Sequence, residues 1–257
     1  MATSDYLGFR LLTAGQASAE VTVNAALAAL DAQWDQTATL NVCDDFTGGV
    51  SSSGSPFVAV ASGVASAVGT AVFTGDQNVV GVVTLDTGTD TTGYANVRGA
   101  TAALLRLGGG EVRLRCRFRV EDLSDGTNTY TVRAGLGDST VAGEPTDGCF
   151  LRYTHGTNSG KFQCVTRANG TETATDSGLT VAADTWYTLD LTVNEDGTSV
   201  LFTINGTEVA TNTTNIPTAA GRETGVQVSI LKSAGTTARV LNVDFLGLRA
   251  EFTTARA

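Results

Sequence analysis

Glu111-Val-Arg-Leu-Arg-Cys-Arg-Phe-Arg-Val120 decides the fold class. Val112, Leu114, Cys116, Phe118 and Val120 take one parity, and Glu111 with Arg113, Arg115, Arg117 and Arg119 takes the other. An extended chain turns successive side chains to opposite faces, so this period of two describes a strand with one face in a core and one outside it. The same signal recurs downstream. Trp186–Val193 alternates with Tyr187, Leu189, Leu191 and Val193 inside. Asn194-Glu-Asp-Gly197 then turns the chain, and Val200, Phe202 and Ile204 continue the apolar face up to a second turn at Asn205-Gly206. Val226–Leu231 and Arg239–Leu248 read as two more strands, and Asp125-Gly126 and Asn169-Gly170 as further turns. Residues 48–75, rich in Gly, Ser, Ala and Val, read as loosely specified strands and loops. Turns at this spacing, with no repeat of 20–50 residues, predict two sheets wrapped around one core rather than a solenoid or propeller.

Residues 1–42 have a different character. Asn24–Trp34 carries helical spacing with Leu27, Leu30 and Trp34 on one stripe, and Thr22 or Asn24 can cap its first turn. A helix of about three turns is marginal in water by itself. Its stripe therefore needs a support: its own β domain, sister copies, or a docking partner. The expected organisation is an N-terminal helical anchor over 1–42 and a β-sandwich over 43–257.

Composition narrows the function classes. The net charge of −10 argues against nucleic acid as a partner, because phosphate binding needs a basic surface. No apolar run approaches the ~20 residues of a membrane span. Met1–Arg10 has neither a basic n-region nor an apolar h-region, so folding in a cytosol, or export without a classical signal, is expected. Cys43, Cys116, Cys149 and Cys164 lack Cys-x-x-Cys spacing, and His155 is the only histidine. No metal and no cofactor are expected, and the cysteines read as buried thiols. If Tyr153–Gly160 closes a hairpin, Cys149 falls opposite Cys164, within reach of a disulfide; cytosolic synthesis favours free thiols.

Two stretches carry resemblances. Thr13–Ala32 has Gly15-Gln16, Glu20-Val21-Thr22, Asn24, Ala26-Leu27 and Leu30-Asp31-Ala32 in order. It resembles the N-terminal segment of tail or fibre proteins of phages and gene-transfer agents, with Ala17-Ser18-Ala19 where that family carries a basic run. The blocks Asp44-Asp45-Phe46, Gly81–Thr89, Leu123–Gly126, Asp184–Leu189, Val200–Ala210, Asn215–Pro217 and Lys232–Thr237 are similar, in that order, to a concanavalin-A-like, laminin-G-like jelly roll of tailed-phage structural proteins. The resemblance implies a virion protein made in the bacterial host cytoplasm, as a fibre, spike or capsid decoration. It also implies contacts with other virion proteins and a homotrimeric assembly.

Jelly rolls of this type include retaining glucanases, which carry Glu-x-Asp-x-x-Glu on one strand. That motif is absent, Glu121-Asp122 point to opposite faces, and Glu195-Asp196 sit in a turn, so no catalytic residue is assigned and a non-enzymatic protein is expected. Two features remain as candidate sites. The row Arg113, Arg115, Arg117 and Arg119 is either neutralised by carboxylates such as Asp190 or by a sister subunit at an interface, or it receives an anionic ligand. Trp186 faces away from the Tyr187/Leu189/Leu191 set, and either packs under a loop or stacks on a sugar of a host surface glycan.

Overall fold

The computed structural model describes residues 39–47, 49–50, 55–71, 79, 81–101 and 103–254. The anchor helix expected over Asn24–Trp34, with Leu27, Leu30 and Trp34, lies outside the described residues. Among the described residues fifteen strands follow in chain order: β1 Thr39–Asp44, β2 Phe57–Ser62, β3 Ala67–Ala71, β4 Val82–Asp86, β5 Tyr94–Gly99, β6 Gly110–Val120, β7 Thr129–Gly137, β8 Gly148–Thr154, β9 Lys161–Ala168, β10 Thr171–Thr180, β11 Thr185–Val193, β12 Val200–Ile204, β13 Thr207–Asn212, β14 Gly225–Ala234 and β15 Val240–Phe252.

They form two antiparallel sheets. The first runs β13-β12-β11-β6-β15-β4-β3, and β1 pairs with the second half of the long β15. The second runs β10-β9-β8-β7-β14-β5-β2. This is the jelly-roll sandwich expected from the sequence. Among the described residues its first strand is β1, Thr39–Asp44.

The alternation of β6 places it at the centre of the first sheet, between β11 and β15. Its apolar side faces the second sheet. Phe118 meets Phe162 of β9 edge to face at 6.0 Å between ring centres and Tyr187 of β11 at 6.1 Å; Phe162 and Tyr187 lie 5.0 Å apart. Tyr130 and Tyr153 extend this cluster from the second sheet. The buried Tyr130 hydroxyl donates to the Asp122 carbonyl at 2.6 Å, so its polar end is satisfied.

The expected hairpins form. Asn205-Gly206 and Asn169-Gly170 both have positive φ at both positions, the primed turn that matches strand twist. One register differs from expectation. The β8–β9 hairpin pairs Arg152 with Gln163, which sets Cys149 opposite Thr166 and Cys164 opposite Leu151. A short 3-10 turn at Asn158–Gly160 sits in the connection, and the pairing is offset by two residues from a Tyr153–Gly160 closure. Both thiols point into the core and are free, as is Cys116; Cys43 is exposed. Burial pushes the Cys164 thiol up to about 12 and Cys149 higher still, so both stay protonated and inert at neutral pH.

Candidate functional site

The outer face of the first sheet carries the arginine row. Each guanidinium has a carboxylate partner, either on β6 itself or on or beside a neighbouring strand. Arg113 pairs with Glu111 at 2.5 Å, and Arg117 with Asp244 at 2.6 Å. Arg115 grips both oxygens of Asp190, its register partner on β11, at 2.5 and 3.2 Å. Arg119 reaches Glu121 and Asp184, each at 3.5 Å. Hydrogen bonds donated to Glu111 and Asp190 raise the Arg113 and Arg115 pKa values above the ordinary arginine value.

The row divides into two halves. The Arg113 and Arg115 side chains are 58% and 62% exposed, against 24% and 15% for Arg117 and Arg119. Trp186 explains the difference. It lies half-buried on the outer face, with the Arg117 and Arg119 guanidinium carbons 4.7 and 5.3 Å from its ring centre. Cation–π contact holds that half of the row in place, and the indole lies beneath charge. The open half, Arg113 and Arg115, borders a groove of about 490 Å³ that continues over Asn41, Asp190, Phe245 and Arg249.

Phe245 was not singled out from the sequence. In β15, Leu241 and Val243 point inward, and so do Leu246, Leu248 and Ala250; the parity changes between them. A bulge between Val243 and Phe245 reconciles the two sets. It turns both Asp244 and Phe245 to the outer face, where Asp244 takes Arg117 and the Phe245 ring lies over Gly247. A Cβ on Gly247 would sit 2.9 Å from the ring, so glycine makes the floor on which the ring rests. The switch from odd to even apolar positions was the available signal. Bulges are frequent where a strand re-aims a side chain next to a site.

The outer face of the second sheet holds a different polar cluster. Arg133 of β7, Arg152 of β8 and Arg167 of β9 lie on adjacent strands and share two carboxylates, Glu144 and Glu172. Glu144 comes from the β7–β8 loop, and Glu172 from β10. The loop lies across this face: Ala142 on it is fully buried and its carbonyl accepts from Arg133 Nη1 at 3.0 Å. Phe150 also faces outward here and is fully buried. Among the described residues, no group of three or more His, Cys, Asp and Glu side chains is placed to hold a metal ion. His155 falls in the β8–β9 connection, as its sequence context indicates.

Two layers, antiparallel throughout, with polar outer faces define a concanavalin-A-like jelly roll. The chain belongs to the SO2946-like family: the model of that family's C-terminal domain matches residues 78–244. The protein of unknown function SO2946 from Shewanella oneidensis MR-1 has a similar structure over 96% of this chain and 99% of its own, with a TM-score of 0.63 at 16% identity. The endo-1,3-beta-glucanase from Streptomyces sioyaensis is similar over 83% of this chain and 96% of its own (TM-score 0.54, 14% identity). The Emp47p carbohydrate recognition domain is similar over 82% and 94% (TM-score 0.52, 10% identity). The sequence matches none of the curated proteins.

These similarities correct one expectation. The fold is shared by carbohydrate-binding proteins and by a glycan-active enzyme, so a non-enzymatic class does not stand. The physical reason is that a sheet gathers carboxylates across strands as well as along one. A one-strand motif such as Glu-x-Asp-x-x-Glu misses groups brought together from different strands, as Asp190 of β11 and Asp244 of β15 are brought to one outer face.

Proposed function

We propose that this chain is a carbohydrate-recognition protein and that the groove beside Phe245 is its binding site. One observation carries the reading: the β15 bulge sets an aromatic ring on the outer face next to the Arg115–Asp190 pair in an open groove. A ring of this kind offers an apolar face to the C–H side of a pyranose. The guanidinium and carboxylate beside it offer paired donors and an acceptor for hydroxyls. The fold likeness to a carbohydrate recognition domain and a glucanase supports the same ligand class.

A glycan array on the full chain should give a defined set of binders. Phe245→Ala should weaken the best of them about 10- to 100-fold, from the ~1.5–3 kcal/mol of a buried phenyl group, with the melting temperature nearly unchanged. An array with no binder, or a Phe245→Ala protein that binds like the parent, overturns the assignment. The same glycans should be followed for chain cleavage; depolymerisation that stops in Asp190→Asn would make the groove an active site.

A second reading rests on the Thr13–Ala32 segment. We propose that the chain acts on a tailed-phage virion, as a fibre, spike or capsid decoration, in three copies. The likeness of that segment to the N-termini of phage tail or fibre proteins supports it. Particles mixed with the full chain should retain it, whereas a 39–257 version should wash off. Equal retention of the two would remove the anchoring role, and a mass in solution other than that of three chains would remove the trimer.

A further inference from the structure

We infer that the outer face of the second sheet holds a separate site for a hexuronate-bearing glycan beneath the Asp138–Asp147 loop, where Glu144 now sits in the place of the ligand carboxylate. The site lies on the opposite sheet from the groove and stands independently of it.

The first support is charge. Arg133, Arg152 and Arg167 present three guanidiniums to two carboxylates, which leaves one positive charge in excess on an otherwise acidic protein. The Arg133 side chain is only 7% exposed, and burial pulls its guanidinium below the ordinary value while Glu144 opposes that shift. Glu144 bridges the cluster: Oε2 accepts from Arg133 Nε at 2.7 Å and also from its Nη2, and Oε1 accepts from Arg152 Nη1 at 2.8 Å. One carboxylate oxygen thus sits in the Arg133 fork and the other on Arg152, so charge-assisted bonds from two arginines hold the carboxylate.

The second support is the origin of Glu144. Glu172 belongs to a strand and is fixed by the β9–β10 ladder. Glu144 belongs to a loop whose own ties lie at its base: the Asp138 amide donates to the Asp147 carbonyl at 3.1 Å, and the Thr146 amide to Asp138 Oδ1 at 2.8 Å. Above that base, Glu144 and the Ala142 carbonyl make its hydrogen bonds to the sheet, all through these arginines. A competing carboxylate on the arginines removes what Glu144 does there.

The third support points to a ligand directly. Gln227 and Asn96 are 3% and 1% exposed, on the same outer face, and among the described residues Gln227 Nε2 and Asn96 Oδ1 have no hydrogen-bond partner. The Gln227 amide sits beside Pro145 of the loop, since both lie within 2.9 Å of where a Cβ on Gly137 would stand. Buried amide groups are almost always bonded, so a donor and an acceptor left open here are positions for hydroxyls. Once the loop lifts, Phe150 adds an aromatic ring beside Arg152. Amides, an aromatic ring and an arginine fork suit an acidic sugar better than an acidic peptide, whose side chains offer carboxylates without a ring to stack.

The test uses the full chain with a galacturonate tetramer, its methyl ester and a tetraglutamate peptide, measured by calorimetry. Glu144→Gln should bind the tetramer at least tenfold tighter than the parent does, because the resident charge no longer competes. Arg152→Gln should bind it at least tenfold more weakly. Neither the ester nor the peptide should bind comparably. A thermal melt accompanies each variant: the tetramer should raise the Glu144→Gln melting temperature and the ester should not, which reads the site even where the variant is destabilised. Phe245→Ala should leave all of this unchanged, so failure of the groove and failure of this site are separately visible. A Glu144→Gln protein that binds no tighter than the parent, or a peptide or ester that binds as well as the tetramer, overturns the inference.

Discussion

Phe118→Ala is expected to lower the unfolding free energy by about 3–5 kcal/mol, the range for deleting a buried phenyl group from a close-packed core. For a chain of this size that corresponds to roughly 6–20 °C in melting temperature, at ~2–4 °C per kcal/mol. Phe118 is fully buried, and its ring touches one aromatic from each sheet, Tyr187 and Phe162. Those two also touch one another, so the cavity left by the ring cannot be closed by a single rotamer change. Close-packed interiors relax only partly around such a loss. Phe118→Leu should cost less than half as much. Arg113→Ser, two turns of pleat and one residue away on the opposite face, should stay within about 1 kcal/mol because its ion pair is exposed. Thermal melts of the three variants decide the matter; a Phe118→Ala protein that melts within 2–3 °C of the parent, about 1 kcal/mol, would mean that the aromatic cluster is not the centre of the core.

The centre of the first sheet could be read from the sequence because β6 and β11 keep one alternation over long runs. From Glu111 in β6 and from Tyr187 in β11, every second residue is apolar and buried, and those between are polar. The second sheet is harder to read. In β7 and β8 both faces are buried, since the β7–β8 loop covers the outer side, and Phe150 and Leu151 are adjacent and both fully enclosed. Alternation disappears when solvent is kept from both faces. β2 and β3 are short and rich in Ala, with little contrast between their faces, and they lie at the edges of their sheets. The cysteine register was out of reach for another reason. A loop of unknown turn type permits several closures, and a shift of two residues keeps every side chain on its face, so the pattern cannot tell them apart.

The candidate sites were legible in proportion to how local their residues are. The arginine row lies on one strand, and its partner Asp190 is found by alternation on the next. Phe245 required noticing that the apolar parity of β15 reverses in mid-strand. The Arg133, Arg152 and Arg167 cluster comes from three strands and a loop, and no spacing within the chain announces it. Trp186 was placed correctly as opposite in direction to Tyr187, but its cover is two arginines of β6, a contact set by sheet register.

Glu144→Ala is expected to cost about 2–4 kcal/mol, more than the deletion of any single exposed ion pair on the first sheet. The mechanism is the stranding of Arg133, whose guanidinium stays buried after its carboxylate has gone. A fully buried pair broken in this way costs about 3–5 kcal/mol. The lower figure allows for a Glu144 side chain that is partly in water and for the Ala142 carbonyl that still accepts from Arg133. Arg133→Met removes the buried charge itself and leaves Glu144 paired with Arg152, so it should cost less. The double variant should melt near the single Arg133→Met protein, so the coupling energy in the cycle should match the cost of Glu144→Ala itself, about 2–4 kcal/mol. Acid should reveal the same cluster. Hydrogen bonding from Arg152 holds the Glu172 carboxyl below the usual carboxylate value, so its contribution is present above the unfolded value of about 4.3 and is lost as pH falls through the lower folded value. Stability should therefore drop more steeply below about pH 4 in the parent than in Glu172→Gln. Additive costs in the cycle, together with parallel acid limbs, would show that these arginines are held by solvent and packing and not by the two glutamates.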